Sequence, residues 1–145
     1  MALHILKMAV GVENVEHLCR GQERRLTTMR DAGDPEVLRH WTRNTPKRAD
    51  EVIDGGSLYW IIKGYVRARQ RILSIERSKD SEATKKCAFV LDRLVVRTVL
   101  RIARPIQGWR YLEPAGAPLD QDQKIIEMVD MPEEMARELR DLGLI

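Results

Sequence analysis

SLYWIIK (57–63), Gly64 and YVRARQRILSIER (65–77) are the part of this chain from which a fold can be read. The runs are rich in β-branched and aromatic residues, and a glycine punctuates them. They predict two antiparallel strands, or one long strand bent at Gly64. In the second run Arg67, Arg69 and Arg71 share one parity, while Val66, Ala68 and Ile72 hold the other. Alternate residues of a strand point to opposite faces, so this parity puts three guanidinium groups on one face.

On the N-terminal side, LHILKMAV (3–10) is apolar on both parities and ends at Gly11, which predicts a strand at or near the centre of a sheet. From Val12 the period changes. Val12, Val15, Cys19, Gln22, Leu26 and Met29 recur at three and four residues, an amphipathic helix with Arg24, Arg25 and Arg30 near its negative end. Gly33-Asp34-Pro35 stops it. VLRHWTR (37–43) reads as a strand, and Pro46 opens a short helical stretch, KRADEVID, that halts at Gly55-Gly56.

On the C-terminal side, residues 78–85 are a polar loop, and CAFVLD (87–92) is a strand of buried type. A longer strand, LVVRTVLRIARP (94–105), carries Arg97 and Arg101 on one parity. WRYL (109–112) reads as a last strand, with Trp109 and Tyr111 on one face and Arg110 on the other. A Pro/Gly/Asp-rich connection leads to a terminal helix capped by Asp130 and closed by Gly143. The expected fold is α+β: a small curled, mostly antiparallel sheet or pseudo-barrel with an early amphipathic helix and a C-terminal helix. Residues 1–114 form the domain, and the acidic stretch 115–145 packs on it.

The 145 residues are 43% hydrophobic and 32% charged, enough apolar surface for a core and too little bias for a disordered chain. Collagen-like, coiled-coil and disulfide-framework classes are excluded. No apolar run reaches the roughly 20 residues that cross a bilayer. His4 and Lys7 interrupt the apolar N-terminal stretch, and no small-residue cleavage site follows it. Cys19 and Cys87 read as free thiols of a reducing compartment, which places the protein in the cytoplasm with no membrane partner.

Charge is unevenly spread. Residues 35–115 hold seventeen Lys/Arg against nine Asp/Glu, while residues 116–145 hold three against eight. All seven aromatic residues fall in the basic segment. Cations interleaved with aromatic rings suit a phosphate backbone and unstacked bases. The same distribution would follow from a sheet core with solvated arginines outside it. The acidic C-terminal stretch is a second possible counter-charge for the arginine rows, in competition with an anionic partner.

Site chemistry of other kinds is thinly represented. His4, His17 and His40 are scattered, no CxxC or HExxH occurs, and no metal or cofactor is expected. GxxxxGKS/T and GxGxxG are both absent, which removes P-loop hydrolysis. Ser57 follows two glycines but precedes a strand, whereas a nucleophile elbow needs its serine between strand and helix. Asp50, Glu51 and Asp54 beside Lys47 and Arg48 read either as acid–base groups or as ordinary helix-surface pairs. His40, next to Trp41, is the histidine to test for catalysis or base contact.

The runs TPKRADEVIDGGSLYWIIKGYVRARQRILSIE (45–76) and RPIQGWRYLEP (104–114) resemble an uncharacterised bacterial family of about this length, a domain of unknown function. In layout, a helix, a turn and then the strand pair of 57–76 are similar to the PUA-like superfamily, with its ASCH and EVE domains. That resemblance implies a small pseudo-barrel that binds RNA or a modified nucleotide. The Gly-x-Lys and Glu-x-Arg pattern of ASCH domains is absent here, so no catalytic residue is carried over.

The reading that results is a non-enzymatic RNA-binding module. Arg43, Lys47, Arg48, Arg67, Arg69, Arg71, Arg97, Arg101 and Arg110 are its candidate phosphate contacts, and Trp41, Trp60, Trp109 and Tyr111 its candidate stacking rings. One alternative is a small hydrolase of a nucleotide or amide, using His40, Lys47, Asp50 or Glu51. Another is a protein-interaction module whose basic face meets an acidic partner.

Overall fold

The structure is a computed structural model and describes residues 2–78 and 86–121. Among the described residues seven strands and two helices follow one another: β1 His4–Met8, α1 Val15–Asp31, β2 Leu38–Thr42, α2 Ala49–Ile53, β3 Ser57–Ile62, β4 Tyr65–Arg77, β5 Cys87–Leu91, β6 Val96–Ile102 and β7 Trp109–Leu112. The terminal helix expected near Asp130 lies outside the described residues.

Residues 57–77 form a hairpin rather than one bent strand. Lys63 and Gly64 both have positive φ, 51° and 81°, as a two-residue turn between twisted antiparallel strands requires. The helix begins where Asn14 accepts the His17 N–H at 2.8 Å and buries Val15, Leu18, Gln22 and Leu26 against the sheet. The short second helix ends at Ile53, and the backbone of Gly56 just beyond it is so close to its surroundings that a Cβ there would lie 2.2 Å from the Val52 oxygen and 2.3 Å from the Leu3 oxygen.

The strands run in the order β2-β5-β4-β3-β1-β7, with β6 also on β4. The early strand is interior, parallel to β3 and antiparallel to β7. The sheet is therefore mixed rather than purely antiparallel, because the chain crosses over through α1, β2 and α2 before β3. It is also open: among the described residues the end strands β2 and β7 do not pair with each other, so no closed barrel forms. Long strand β4 carries β3 along its first half and is shared on its other edge by β6 and then β5.

Two apolar clusters lie on the two faces of this sheet. The larger, on the α1 face, joins Ile5, Leu18, Leu26, Leu58, Trp60, Ile72 and Phe89. The smaller, on the outer face, joins Tyr59, Ile61 and Val66, covered by Leu6, Met8, Ala103, Ile106, Leu112 and Ala117. Ala103 N–H donates to the Gly64 carbonyl at 2.9 Å, and Ile106 N–H to Met8 Sδ at 3.3 Å. These bonds pin the 103–106 loop over the outer face.

Candidate nucleic-acid interface

The two-to-one register of β3 and β4 sorts the arginines. Trp60 pairs with Ala68 and Ile61 with Val66, which leaves Arg67 as the extra residue of a bulge. Its side chain turns back, with Nε donating to the Ile62 carbonyl at 2.6 Å and Cζ 5.2 Å from the Tyr65 ring centre. The expected row of three guanidiniums is thereby reduced to Arg69 and Arg71, opposite Tyr59 and Ser57. Directly opposed residues share a face, so both arginines point outward from α1.

Arg97 and Arg101 part company in the same way. Arg97 opposes Ala68 of the large core and Arg101 opposes Val66 of the small one, across an irregularity in the β4–β6 register. Parity alone had put them together. Arg97 reaches Glu16 on α1, whereas Arg101 joins the outer face. Arg110 opposes Leu6 and joins it there.

Arg101, Arg104 and Arg110 surround a concavity of about 180 Å³ floored by Leu6, Val66, Ile106 and Leu112. All three are exposed. Among the described residues none of them, nor Arg71, has a carboxylate within ion-pair distance; the ion pairs of the described arginines belong to Arg30, Arg39, Arg48, Arg69, Arg93 and Arg97. An apolar floor lowers the local dielectric and strengthens any anion held above it. Arg104 was missed in the sequence because, in the expected strand 94–105, it has the opposite parity to Arg97 and Arg101, whereas β6 ends at Ile102 and leaves it beyond that alternation; its spacing from Arg101, just ahead of Pro105, was the available signal.

Arg69 and Arg71 border a neighbouring concavity of about 370 Å³ with His4, Ser57 and Asp120. Arg69 is engaged at every nitrogen. Its Nε and Nη2 donate to the two Asp120 oxygens at 2.8 and 2.7 Å, and Nη1 donates to Ser57 Oγ at 3.1 Å. That bidentate pair raises the Arg69 pKa. Asp120 is the first acidic residue of the C-terminal stretch, so one arginine does receive its counter-charge from there. His4 Nδ1 accepts the Ser57 N–H at 3.0 Å. Burial, helped by the Arg69 charge, lowers the His4 pKa.

Of the rings on this face, Tyr59 is buried, and the four candidate stacking rings lie elsewhere. Trp60 is 3% exposed and donates its indole N–H to Gln70 at 2.9 Å, so it is core and no stacking platform. Trp109 and Tyr111 oppose Lys7 and Ile5 and face α1's side of the sheet. Trp109 donates to the Asn44 carbonyl at 2.9 Å, packs 5.0 Å from Tyr111, and Tyr111 Oη accepts the Arg48 N–H. Trp41, at the opposite end of the strand order, is 40% exposed. Arg43 and Lys47 are exposed beyond it.

The acid–base alternative finds its residues on α2 and β2. Glu51 is bound by Arg48 at 2.5 and 2.9 Å, and those hydrogen bonds lower its pKa. Arg48 also meets Glu113 at 3.5 Å, so this phosphate candidate is spent in a surface cluster. Asp50 is exposed. His40 stands instead against Trp60, ring centres 5.0 Å apart. Among the described residues no group of His, Cys, Asp or Glu is arranged to hold a metal ion, and no helix is long and apolar enough to cross a membrane.

Among curated proteins and solved structures, none matches the chain. A family model does, over residues 5–145: it is described as Protein of unknown function (DUF1489), and with nearly the whole chain matched, the protein belongs to that family.

Proposed function

We propose that this protein binds RNA through the outer face of its sheet, with the phosphate backbone lying across Arg71, Arg101, Arg104 and Arg110. The observation that carries the reading is the convergence on one apolar-floored concavity of three arginines that have no carboxylate partner among the described residues. Like charges gathered this way repel, and a polyanion relieves the repulsion while releasing its own counterions. With the rings turned away or buried, affinity comes from phosphates rather than base stacking. We take the early helix, the bent hairpin and the open sheet as a distant variant of the PUA-like arrangement, acting in the cytoplasm.

Fluorescence anisotropy with labelled single-stranded RNA, duplex RNA and DNA tests this. Binding should be saturable, with a log–log salt slope of about −2 to −3 for three to four phosphate contacts on a single strand. The double variant Arg101→Glu/Arg110→Glu should weaken it about tenfold or more, whereas Arg24→Glu on the exposed side of α1, an equal charge change per site, should not. Absence of binding at low salt overturns the reading and leaves the face to an acidic protein.

A further inference from the structure

The other side of the sheet holds a cavity of about 320 Å³ between α1 and the strands. It is lined by the β1–α1 connection, by His17, Gln22 and Arg25 of α1, by His40 of β2 and by Trp60 of β3. Its volume is at the lower end of small-molecule sites, too small for an oligomer and adequate for one nucleotide.

The lining has a definite hydrogen-bonding pattern. Gln22 and Gln70 exchange amide hydrogen bonds, both at 2.8 Å. Gln70 is saturated, since its Oε1 also accepts from Trp60 and its Nε2 also donates to the Asp92 carbonyl. Gln22, only 6% exposed, has spent one N–H and one lone pair and keeps one of each. A buried amide half used at a cavity wall favours an occupant that offers both an acceptor and a donor. His17 Nδ1 accepts the Glu13 N–H at 3.1 Å, so the neutral ring carries its proton on Nε2 and adds a second donor.

Two further features narrow the class of ligand. The Trp60 and His40 rings meet edge to face at 5.0 Å and 89°, giving an aromatic wall. Arg25 is exposed at the rim, and among the described residues it has no ion-pair partner. The lining residues include no carboxylate, so an amino acid or polyamine would leave its ammonium without a counter-charge.

We propose that this cavity is a mononucleotide site. The base presents its donor–acceptor edge to Gln22 and His17 beside the aromatic wall, and the phosphate sits at Arg25. The site faces away from the arginines of the outer surface and does not rest on the RNA reading.

Titration of uniformly ¹⁵N-labelled protein with the four 5′-ribonucleoside monophosphates, their nucleosides and inorganic phosphate tests it. The Trp60 indole resonance, assigned with Trp60→Phe, should move saturably with at least one nucleotide, together with the Gln22 amide. That nucleotide should bind about fivefold or more tighter than its nucleoside, and Arg25→Ala should abolish the difference. His17→Leu should weaken nucleotide and nucleoside alike. No saturable shift at millimolar nucleotide overturns the proposal. So does an equal response to inorganic phosphate, or a response confined to outer-face arginine resonances, whatever the outcome with RNA.

Discussion

Gln70 shows how much one buried polar side chain can hold. Its amide joins helix, hairpin and the residue after β5, through Gln22, Trp60 and the Asp92 carbonyl. Replacement by leucine leaves an indole N–H, an amide and a carbonyl unmet, so Gln70→Leu should cost about 3 kcal/mol and Gln22→Leu about half as much. Urea denaturation reads both. His4 supplies the pH dependence at this scale. Its folded pKa is lowered by burial and by Arg69, so below the ordinary histidine value the unfolded chain binds the extra proton. Its contribution is complete above about pH 7 and is lost as pH falls through 6.5 toward the lowered value. In His4→Asn, which can still accept the Ser57 N–H, the urea midpoint should fall less between pH 7.5 and 5 than in the parent. Spacing put Gln22 on the apolar helix face, but its partner lies 48 residues away, and no local pattern announces such a pair.

The secondary elements were largely legible. The change of period at Val12, the glycine between two β-rich runs and the stop at Gly55-Gly56 each report a local backbone preference, and each element formed where expected. The arginine rows were half legible, because parity assumes an uninterrupted strand. The Arg67 bulge and the irregular β4–β6 register break it, and both depend on partner strands rather than on the run itself. Two glycines separate the backbone and steric contributions at element ends. Gly64 has a φ of 81°, and no atom lies within 4 Å of the place a methyl group would take, so Gly64→Ala should cost only the left-handed penalty, about 1–2 kcal/mol. Gly56 has ordinary φ but two carbonyl oxygens in the way. Gly56→Ala should cost at least about 3 kcal/mol or prevent folding, since backbone atoms of α2 and of Leu3 must move. Thermal melts of the pair would rank them.

At the scale of the whole molecule, the charge arithmetic located a basic segment but not its faces. Seventeen cations read the same in sequence whether paired or free. The fold spends Arg39, Arg48, Arg69 and Arg97 on Glu76, Glu51, Asp120 and Glu16, and among the described residues Arg101, Arg104 and Arg110 around their shared concavity have no carboxylate in ion-pair reach. Trp60 was misplaced for a related reason: a ring large enough to stack a base is also among the best fillers of a sheet core. The position of β1 has a consequence for how such a molecule comes into being. Ile5 opposes Leu58 on one side and Tyr111 on the other. Ribosomes deliver the N-terminus first, so a nascent chain carries an apolar strand with no neighbour until the hairpin emerges, and with one edge bare until Trp109–Leu112 follows. These are long-range contacts that make folding slow, and the waiting edge is a template for misassociation between chains. Synthesis that stalls before Trp109 therefore yields an aggregation-prone fragment rather than a smaller folded protein.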